Sequence, residues 1–216
     1  MSKGKDIQDD CGIDRLKVER SLWGMGFQRV MGLDEVGRGC LAGPVVAAGV
    51  ILDQNQTHPA LRDSKKIGGL ERIYLADWIV HNAIYYHISI QETHVIDEMN
   101  ILNASLKAML ECAEREEAMP DYLLVDGNRF PSCLIPHKCI IKGDDHSASI
   151  AAASILAKTY RDTLMKELHH DFPMYGWEKN VGYPTVQHYQ ALEKYGSCVH
   201  HRQSFSLRTN KKYQPA

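Results

Sequence analysis

Three short apolar runs in this chain end on acidic residues: Val30-Met31-Gly32-Leu33 on Asp34-Glu35, Tyr122-Leu123-Leu124-Val125 on Asp126, and Cys139-Ile140-Ile141 on Lys142-Gly143-Asp144. A carboxylate at the end of an apolar strand is costly to bury unless a cation or hydrogen-bond donors hold it. That cost narrows the folds open to the chain. In an α/β sheet the carboxyl ends of strands that are distant in sequence meet along one edge, and that edge is where such folds place their sites. Taken singly, each acid reads as an ordinary strand-end turn residue. Taken together, Asp34, Glu35, Asp126 and Asp144 would repel one another and take up protons unless divalent cations neutralised them. All-oxygen ligation selects hard ions such as Mg²⁺ or Mn²⁺ rather than zinc.

The pattern around these runs predicts alternating strands and helices. Arg29–Glu35 and Val45–Leu52 read as strands joined by a glycine-rich connection over Gly37–Pro44. Leu70–His81 reads as a helix with Leu70, Ile73, Tyr74, Trp78 and Ile79 at helical spacing, and Ile84–Ile90 alternates as a strand does. A second helix is predicted over Asn100–Met119, with Ile101, Leu102, Leu106, Met109 and Leu110 on one face. Tyr122–Val125 and Cys139–Ile141 follow as short strands. His146 to about His169 is strongly helical and rich in Ala and Ser, a composition that implies close packing against a neighbour. Thr185–Tyr195 is the last predicted helix, and Ile13, Leu16, Leu22 and Trp23 suggest a short helix near the N-terminus. The prediction is one α/β domain with a helical C-terminal extension.

Composition sets the outer limits. A chain of 216 residues that is 44% hydrophobic can bury a sizeable core without metal or disulfide staples. Its longest apolar run, the 12 residues Leu41–Leu52, is broken by Gly43 and Pro44, whereas a bilayer span takes about 20. No membrane partner is expected. The polar start and six dispersed cysteines without a C-x-x-C pair (Cys11, Cys40, Cys112, Cys133, Cys139, Cys198) predict reduced thiols in a cytoplasmic protein. The net charge of −2 is uneven: from residue 176 onward six Lys or Arg face two Glu, a net of +4, and the remainder carries −6. A basic C-terminal segment on an acidic body is suited to contacting phosphates.

Residues 37–44, Gly-Arg-Gly-Cys-Leu-Ala-Gly-Pro, offer backbone N–H groups and close approach to a phosphate or ribose. They open a strand rather than a helix and lack the Gly-Lys-Ser/Thr of a P-loop, which excludes the common nucleotide fingerprints. Tyr183, between Gly182 and Pro184, is either a packed plug or a ring presented to a ligand. Lys65 and Lys66 are either phosphate contacts or solvated loop charges. The pairs His169-His170 and His200-His201 raise the alternative of metal-independent catalysis by a histidine acid and base.

Asp34-Glu35-Val36-Gly37-Arg38-Gly39 followed by Leu41-Ala42-Gly43-Pro44-Val45-Val46 resembles the opening motif of type 2 ribonuclease H (ribonuclease HII). The resemblance continues in order through Asp63-Ser64-Lys65-Lys66, Val125-Asp126-Gly127, Lys142-Gly143-Asp144, Ser149–Lys158, Arg161-Asp162, Gly182-Tyr183-Pro184-Thr185, His188 and His201–Phe205, over residues 28 to 206. Cys40, Val181 and Gln203 depart from the family's usual proline, lysine and arginine. The resemblance implies a ribonuclease H-like mixed β-sheet flanked by helices, with residues 1–27 packed on the body, 28–175 as the catalytic domain and 176–216 as a helical, basic extension. It implies Asp34, Glu35, Asp126 and Asp144 as catalytic, metal-binding carboxylates for two Mg²⁺ or Mn²⁺ ions. Gly37, Arg38, Gly39 and Tyr183, with Lys65, are its implied substrate contacts.

The activity implied is endoribonucleolytic: hydrolysis of RNA in RNA–DNA hybrids, and cutting 5′ to ribonucleotides embedded in duplex DNA, leaving 3′-hydroxyl and 5′-phosphate ends. The expected partners are those nucleic acids, and the expected state is a monomer. A nuclease or recombinase of related fold would share the acidic strand ends without pairing Gly-Arg-Gly with Gly-Tyr-Pro-Thr. A non-catalytic binding module would have no reason to keep four acids near phosphates.

Overall fold

Strands Val30–Val36 (β1) and Val45–Ile51 (β2) form the centre of the sheet. Every residue of β2 is buried, as expected of an apolar strand covered by helices on both faces. The structure, a computed structural model, describes residues 14–56, 58, 61 and 68–208. Tyr85–Gln91 (β3), Tyr122–Asp126 (β4) and His137–Ile140 (β5) complete a five-stranded sheet of order β3-β2-β1-β4-β5. The pairs β1/β2 and β2/β3 are antiparallel, whereas β1/β4 and β4/β5 are parallel, so the sheet is mixed. Register then places the acids: Leu33 pairs with Val125, and the next residue of each strand is Asp34 or Asp126. Two acids 92 positions apart in sequence thus leave the sheet at the same edge.

Helices cover both faces. Ala148–Asp171 (α4) packs on β1 and β2, with Ala151, Ala152, Ala153 and Ala157 fully buried, so the small side chains expected to permit close approach do so. Gly69–Asn82 (α2) lies against α4, and Thr93–Ala113 (α3) covers β2 and β3 on the opposite face. Lys17–Gly24 (α1) brings Leu22 into contact with Val30, Leu124 and Ile150, and Leu16 just before it is buried against the sheet. Trp177–Asn180 (α5) and Val186–Tyr195 (α6) close on Leu41 and Met165 through Tyr175, Trp177, Tyr189 and Leu192.

Several predicted elements shift. The helix expected over Asn100–Met119 begins at Thr93 and ends at Ala113, with Asn100 at a kink (φ 68°, ψ 161°). The Asn100 side chain accepts from the Asn103 N–H at 3.1 Å, so the helix start read at Asn100 is a genuine local cap inside a longer element. In α2 the buried stripe is Leu75, Ala76 and Ile79, whereas Leu70, Ile73 and Tyr74 are exposed; the helix is apolar on more than one side, and packing on α4 chose among them. Ser147 and Thr185 cap α4 and α6 by accepting from the N–H groups of Ile150 and His188. Among the described residues no helix is long and apolar enough to cross a membrane, and Cys40, Cys112, Cys133, Cys139 and Cys198 are free thiols.

Candidate active site

At the carboxyl end of β1, Asp34 is 7% exposed, and its Oδ1 accepts from the Glu35 N–H at 2.7 Å while Ser154 of α4 donates to the same carboxylate. Burial raises its pKa well above the ordinary carboxylate range, and the charges of Glu35 and Asp126 push it the same way. Burial also raises the pKa of Glu35; Arg38, whose Nη1 donates to Glu35 Oε1 at 3.0 Å, offsets part of that rise, and Asp126 adds to it. Asp126, at the end of β4, accepts from the Gly143 N–H at 2.6 Å. That bond draws in the 3₁₀ turn Gly143–Asp145, on which Asp144 is half-buried. Asp145, the neighbouring acid, pairs instead with Arg15 at 3.4 Å.

Asp34, Glu35 and Asp126 therefore share one electrostatic environment, and Asp144 joins them through the backbone of its neighbour. Among the described residues no three His, Cys, Asp or Glu side chains are drawn closely enough together to hold a cation as they stand. The fit to Mg²⁺ or Mn²⁺ lies in donor type and charge: hard oxygen donors whose mutual repulsion a divalent cation relieves.

Two residues past Glu35 the chain enters the glycine loop, which two buried guanidiniums hold from behind. Arg161 of α4 donates to the carbonyls of Pro44 (2.9 Å), Ala42 (3.0 Å) and Val181 (2.8 Å). Arg202 donates to those of Gly43 (2.9 and 3.0 Å), Arg38 (3.0 Å) and Pro44 (3.2 Å). Both are fully buried, and neither forms an ion pair among the described residues; burial lowers the Arg202 pKa to about 10. Glycine is required where the backbone wraps this pair. A Cβ on Gly37 (φ +96°) would lie 2.3 Å from Arg161 Nε, and one on Gly182 (φ +86°) would lie 2.4 Å from the Ala42 carbonyl oxygen. Arg38 and Gly39 remain exposed.

The same clamp locates Tyr183. The Leu41 N–H donates to the Gly182 carbonyl at 2.8 Å, and the Tyr183 ring lies 5.7 Å from Lys158 Nζ and 6.0 Å from the Arg161 guanidinium. At 36% exposure, Tyr183 is neither a sealed plug nor a free side chain. Burial raises its phenol pKa, and the neighbouring Cys40 thiol acts in the same direction. The Cys40 thiol is itself raised by burial, so it stays protonated and unreactive.

Behind Tyr183 runs a chain of histidines. The Cys198 N–H donates to His201 Nδ1 (3.1 Å), which leaves the His201 Nε2–H to donate to His188 Nε2 (3.1 Å), and the His188 Nδ1–H donates to the Tyr183 carbonyl (3.0 Å). Trp177 Nε1–H also donates to His188 Nε2, at 3.1 Å. Burial lowers the His201 pKa to about 4 and lowers that of His188 as well. His201, the member of the predicted histidine pairs found in this network, is thus a neutral, buried structural imidazole, a poor setting for acid–base work.

Comparison with known proteins follows the same lines. A model of the ribonuclease HII family matches residues 31–208. Ribonuclease HII of Salinibacter ruber is 50% identical over 196 residues, covering 89% of this chain and 98% of that protein.

The chain belongs to the ribonuclease HII family.

Among solved structures, ribonuclease HII from its complex with PCNA in Archaeoglobus fulgidus aligns with a TM-score of 0.69 at 24% identity, covering 85% of this chain and 98% of that one. Bst-RNase HIII, solved in complex with Mn²⁺, aligns with a TM-score of 0.57 at 17% identity, covering 82% and 67% of the two chains. These likenesses support the ribonuclease H-like fold, and membership in ribonuclease HII makes the protein a metal-dependent ribonuclease H.

Of the residues singled out in the sequence, Asp34, Glu35, Asp126, Gly37, Arg38, Gly39 and Tyr183 fall on one continuous stretch of structure, with Asp144 one residue from the Asp126 contact. Lys65 lies outside the described residues. Composition does not mark Arg161 as a support, and Arg202, one of the six C-terminal bases expected to be open to phosphate, is buried and so removed from that role. The available signal was the trio Gly37, Gly43 and Gly182, at each of which an added Cβ would fall within 3.3 Å of Arg161, Met165 or Ala42.

Proposed function

We propose that this ribonuclease HII hydrolyses RNA in RNA–DNA hybrids and cuts 5′ to single ribonucleotides embedded in DNA, leaving 3′-hydroxyl and 5′-phosphate ends. The observation that carries this reading is the continuity of Asp34–Arg38: the chain that supplies two of the crowded carboxylates opens directly into the loop to which the Tyr183 turn is bonded. A cleavage centre and a sugar reader thereby stand on one continuous span.

In this reading Asp34, Glu35, Asp126 and Asp144 hold two Mg²⁺ or Mn²⁺ ions, and the Mn²⁺ complex of the Bst-RNase HIII neighbour supports the choice of ion. Such ions supply, when bound, a nucleophile made from water at neutral pH and stabilisation of the departing 3′-oxygen. The protein's own groups do the rest. Gly37, Arg38 and Gly39 approach the ribose and its phosphates. Tyr183 packs its ring on the sugar after the junction and hydrogen-bonds the 2′-oxygen, the group that distinguishes RNA from DNA. Arg38 is placed to neutralise Glu35 until a cation takes over that task. Residues 28–175 act as the catalytic body, with 14–27 and 176–208 as attached supports; the remainder of the 1–27 and 176–216 segments lies outside the described residues.

The test is a DNA duplex bearing one ribonucleotide, incubated with Mg²⁺ or Mn²⁺ and with chelator, and its product ends identified. Cleavage 5′ to the ribonucleotide with 3′-hydroxyl and 5′-phosphate ends, abolished by chelator, is expected. A cyclic phosphate product or chelator-resistant cutting would overturn the reading.

A further inference from the structure

The turn that carries Asp144 is held from two sides. On one side the Gly143 N–H bonds to Asp126. On the other stands the segment that leads into α1. Arg15 donates from Nε to the Asp145 carbonyl (3.0 Å) and from Nη1 to the Leu61 carbonyl (3.1 Å), and its Nη2 lies 3.4 Å from Asp145 Oδ1. The Arg15 carbonyl accepts from the Ala148 N–H at 3.0 Å. One helical turn later Glu19 Oε1 accepts from the Ser147 hydroxyl (2.5 Å) and the Ser149 N–H (2.9 Å).

Glu19 is 0% exposed, and burial raises its pKa. It has no ion pair among the described residues. A carboxyl so placed is an expensive way to fill space, because an apolar residue of similar volume packs at lower cost. What an apolar residue lacks is an acceptor for the first amides of α4, where the helix dipole also favours the carboxyl. Arg15 and Glu19 thus grip residues 145 to 149 through five hydrogen bonds across about 130 positions of sequence.

We propose that Arg15 and Glu19 are positioning residues of the metal centre: they set the place of the 143–149 segment, and through it the reach of Asp144 toward Asp34, Glu35 and Asp126. The proposal rests on reading Asp144 as a cation ligand. It makes the N-terminal helix part of the active site's support, although neither residue touches the substrate.

The test measures Mn²⁺ binding to the full-length protein by calorimetry without nucleic acid, together with amide hydrogen exchange over 143–149 in chelated buffer. Arg15→Ala and Glu19→Ala should each weaken Mn²⁺ binding about tenfold, the scale of losing a group that orients a ligand, and should speed exchange over 143–149. Glu19→Gln keeps an oxygen for both bonds and should bind Mn²⁺ as the wild type does. Arg15→Lys, which keeps the charge but not the planar fork, should fall between, and it serves as the folded variant if an alanine variant does not fold. Unchanged Mn²⁺ affinity in folded Glu19→Ala and Arg15→Ala, with only a lower Tm, would overturn the proposal and leave a purely structural role. Asp144→Asn separates the two readings: wild-type Mn²⁺ affinity in that variant would remove Asp144 as a ligand and the proposal with it, whereas a loss there alone would overturn only the positioning role.

Discussion

The carboxylate edge of Asp34, Glu35 and Asp126 and the aromatic–histidine cluster behind Tyr183 border the same glycine loop, yet they handle buried polarity in opposite ways. At the edge, like charges are pressed together, and desolvation with mutual repulsion drives pKa values up. In the cluster the imidazoles are kept neutral, each ring nitrogen has a partner, and the two buried guanidiniums are wrapped by backbone carbonyls. In the proposed reading the first region takes up a cation. The second is finished before any ligand arrives. Hydrolysis, in that reading, needs charge held ready for an incoming ion whereas recognition of a sugar needs geometry fixed in advance, and the two requirements fall on separate walls of one site.

The sharpest way to break this contrast is to remove charge from the edge. Asp34→Asn and Asp126→Asn should each lower cleavage by at least about 10³-fold, the scale on which single groups of a concerted site act. The same variants should be no less stable than the wild type in chelated buffer, because Asn relieves repulsion that no cation is there to offset. Steady-state rates paired with thermal melts in chelator check both halves. A variant that cuts normally, or one that unfolds, would place these carboxylates among ordinary structural acids.

Acid should move the two regions in opposite directions. The pKa of His201 falls from 6.5 to about 4 on folding, so between those values the unfolded chain binds the proton first. Its contribution to stability is complete above pH 6.5 and is lost as pH falls toward 4, about 3 kcal/mol at most for an isolated group. His188 acts in the same sense, and the pair titrates as a unit. Asp34 and Glu35 have folded pKa values above their unfolded ones, so their contribution is complete below about pH 4 and is lost as pH rises through the folded values. Urea unfolding in chelated buffer at pH 7 and pH 4.5 should therefore show a smaller acid loss for His201→Gln than for the wild type, and a larger one for Asp34→Asn. Parallel slopes in all three proteins would show that neither region is linked to pH as described.

The two regions were also unequally legible in the sequence. The acids announce themselves because a charge that ends an apolar run breaks a pattern, and parallel pairing of β1 with β4 then brings them to one edge. The clamp gives no such sign. Arg161 and Arg202 look like surface charge, and the carbonyls they bind belong to every residue, so composition carries no trace of the contact. For that reason Arg202 is counted in sequence with the phosphate-facing bases although it is buried. Asn100 shows a third case: its capping side chain was readable as a helix start, but the seven helical residues before it were not, since continuity across a kink is decided by packing on β2 and β3. The Glu19 bonds to Ser147 and Ser149 span about 130 positions and appear only once α1 and α4 are side by side.

Tyr183 gives the finest test, because it belongs to the finished wall while its turn is bonded to the glycine loop that leads on from Asp34 and Glu35. Its ring is supported by Lys158 and Arg161 and its carbonyl by His188, so the backbone and ring should keep their place when only the hydroxyl is removed. Tyr183→Phe should then leave Tm within about 1 °C, since a hydroxyl on a partly exposed residue, bonded to the weakly hydrogen-bonding Cys40 thiol, contributes little to folding. If the hydroxyl reads the 2′-oxygen, its loss leaves that oxygen short of a partner at about 1–3 kcal/mol, or roughly 5- to 150-fold in cleavage at a single embedded ribonucleotide. The fall should appear in kcat/KM for that substrate and be smaller on a long RNA–DNA hybrid, where neighbouring 2′-hydroxyls and phosphates share the positioning. Tyr183→Ala, which also removes the ring, should be slower on both. Wild-type cleavage of the single-ribonucleotide duplex by Tyr183→Phe would take the reader's role from the hydroxyl and leave 2′-oxygen recognition to the Gly37–Gly39 backbone, moving the sugar reader from the finished wall to the loop between the two.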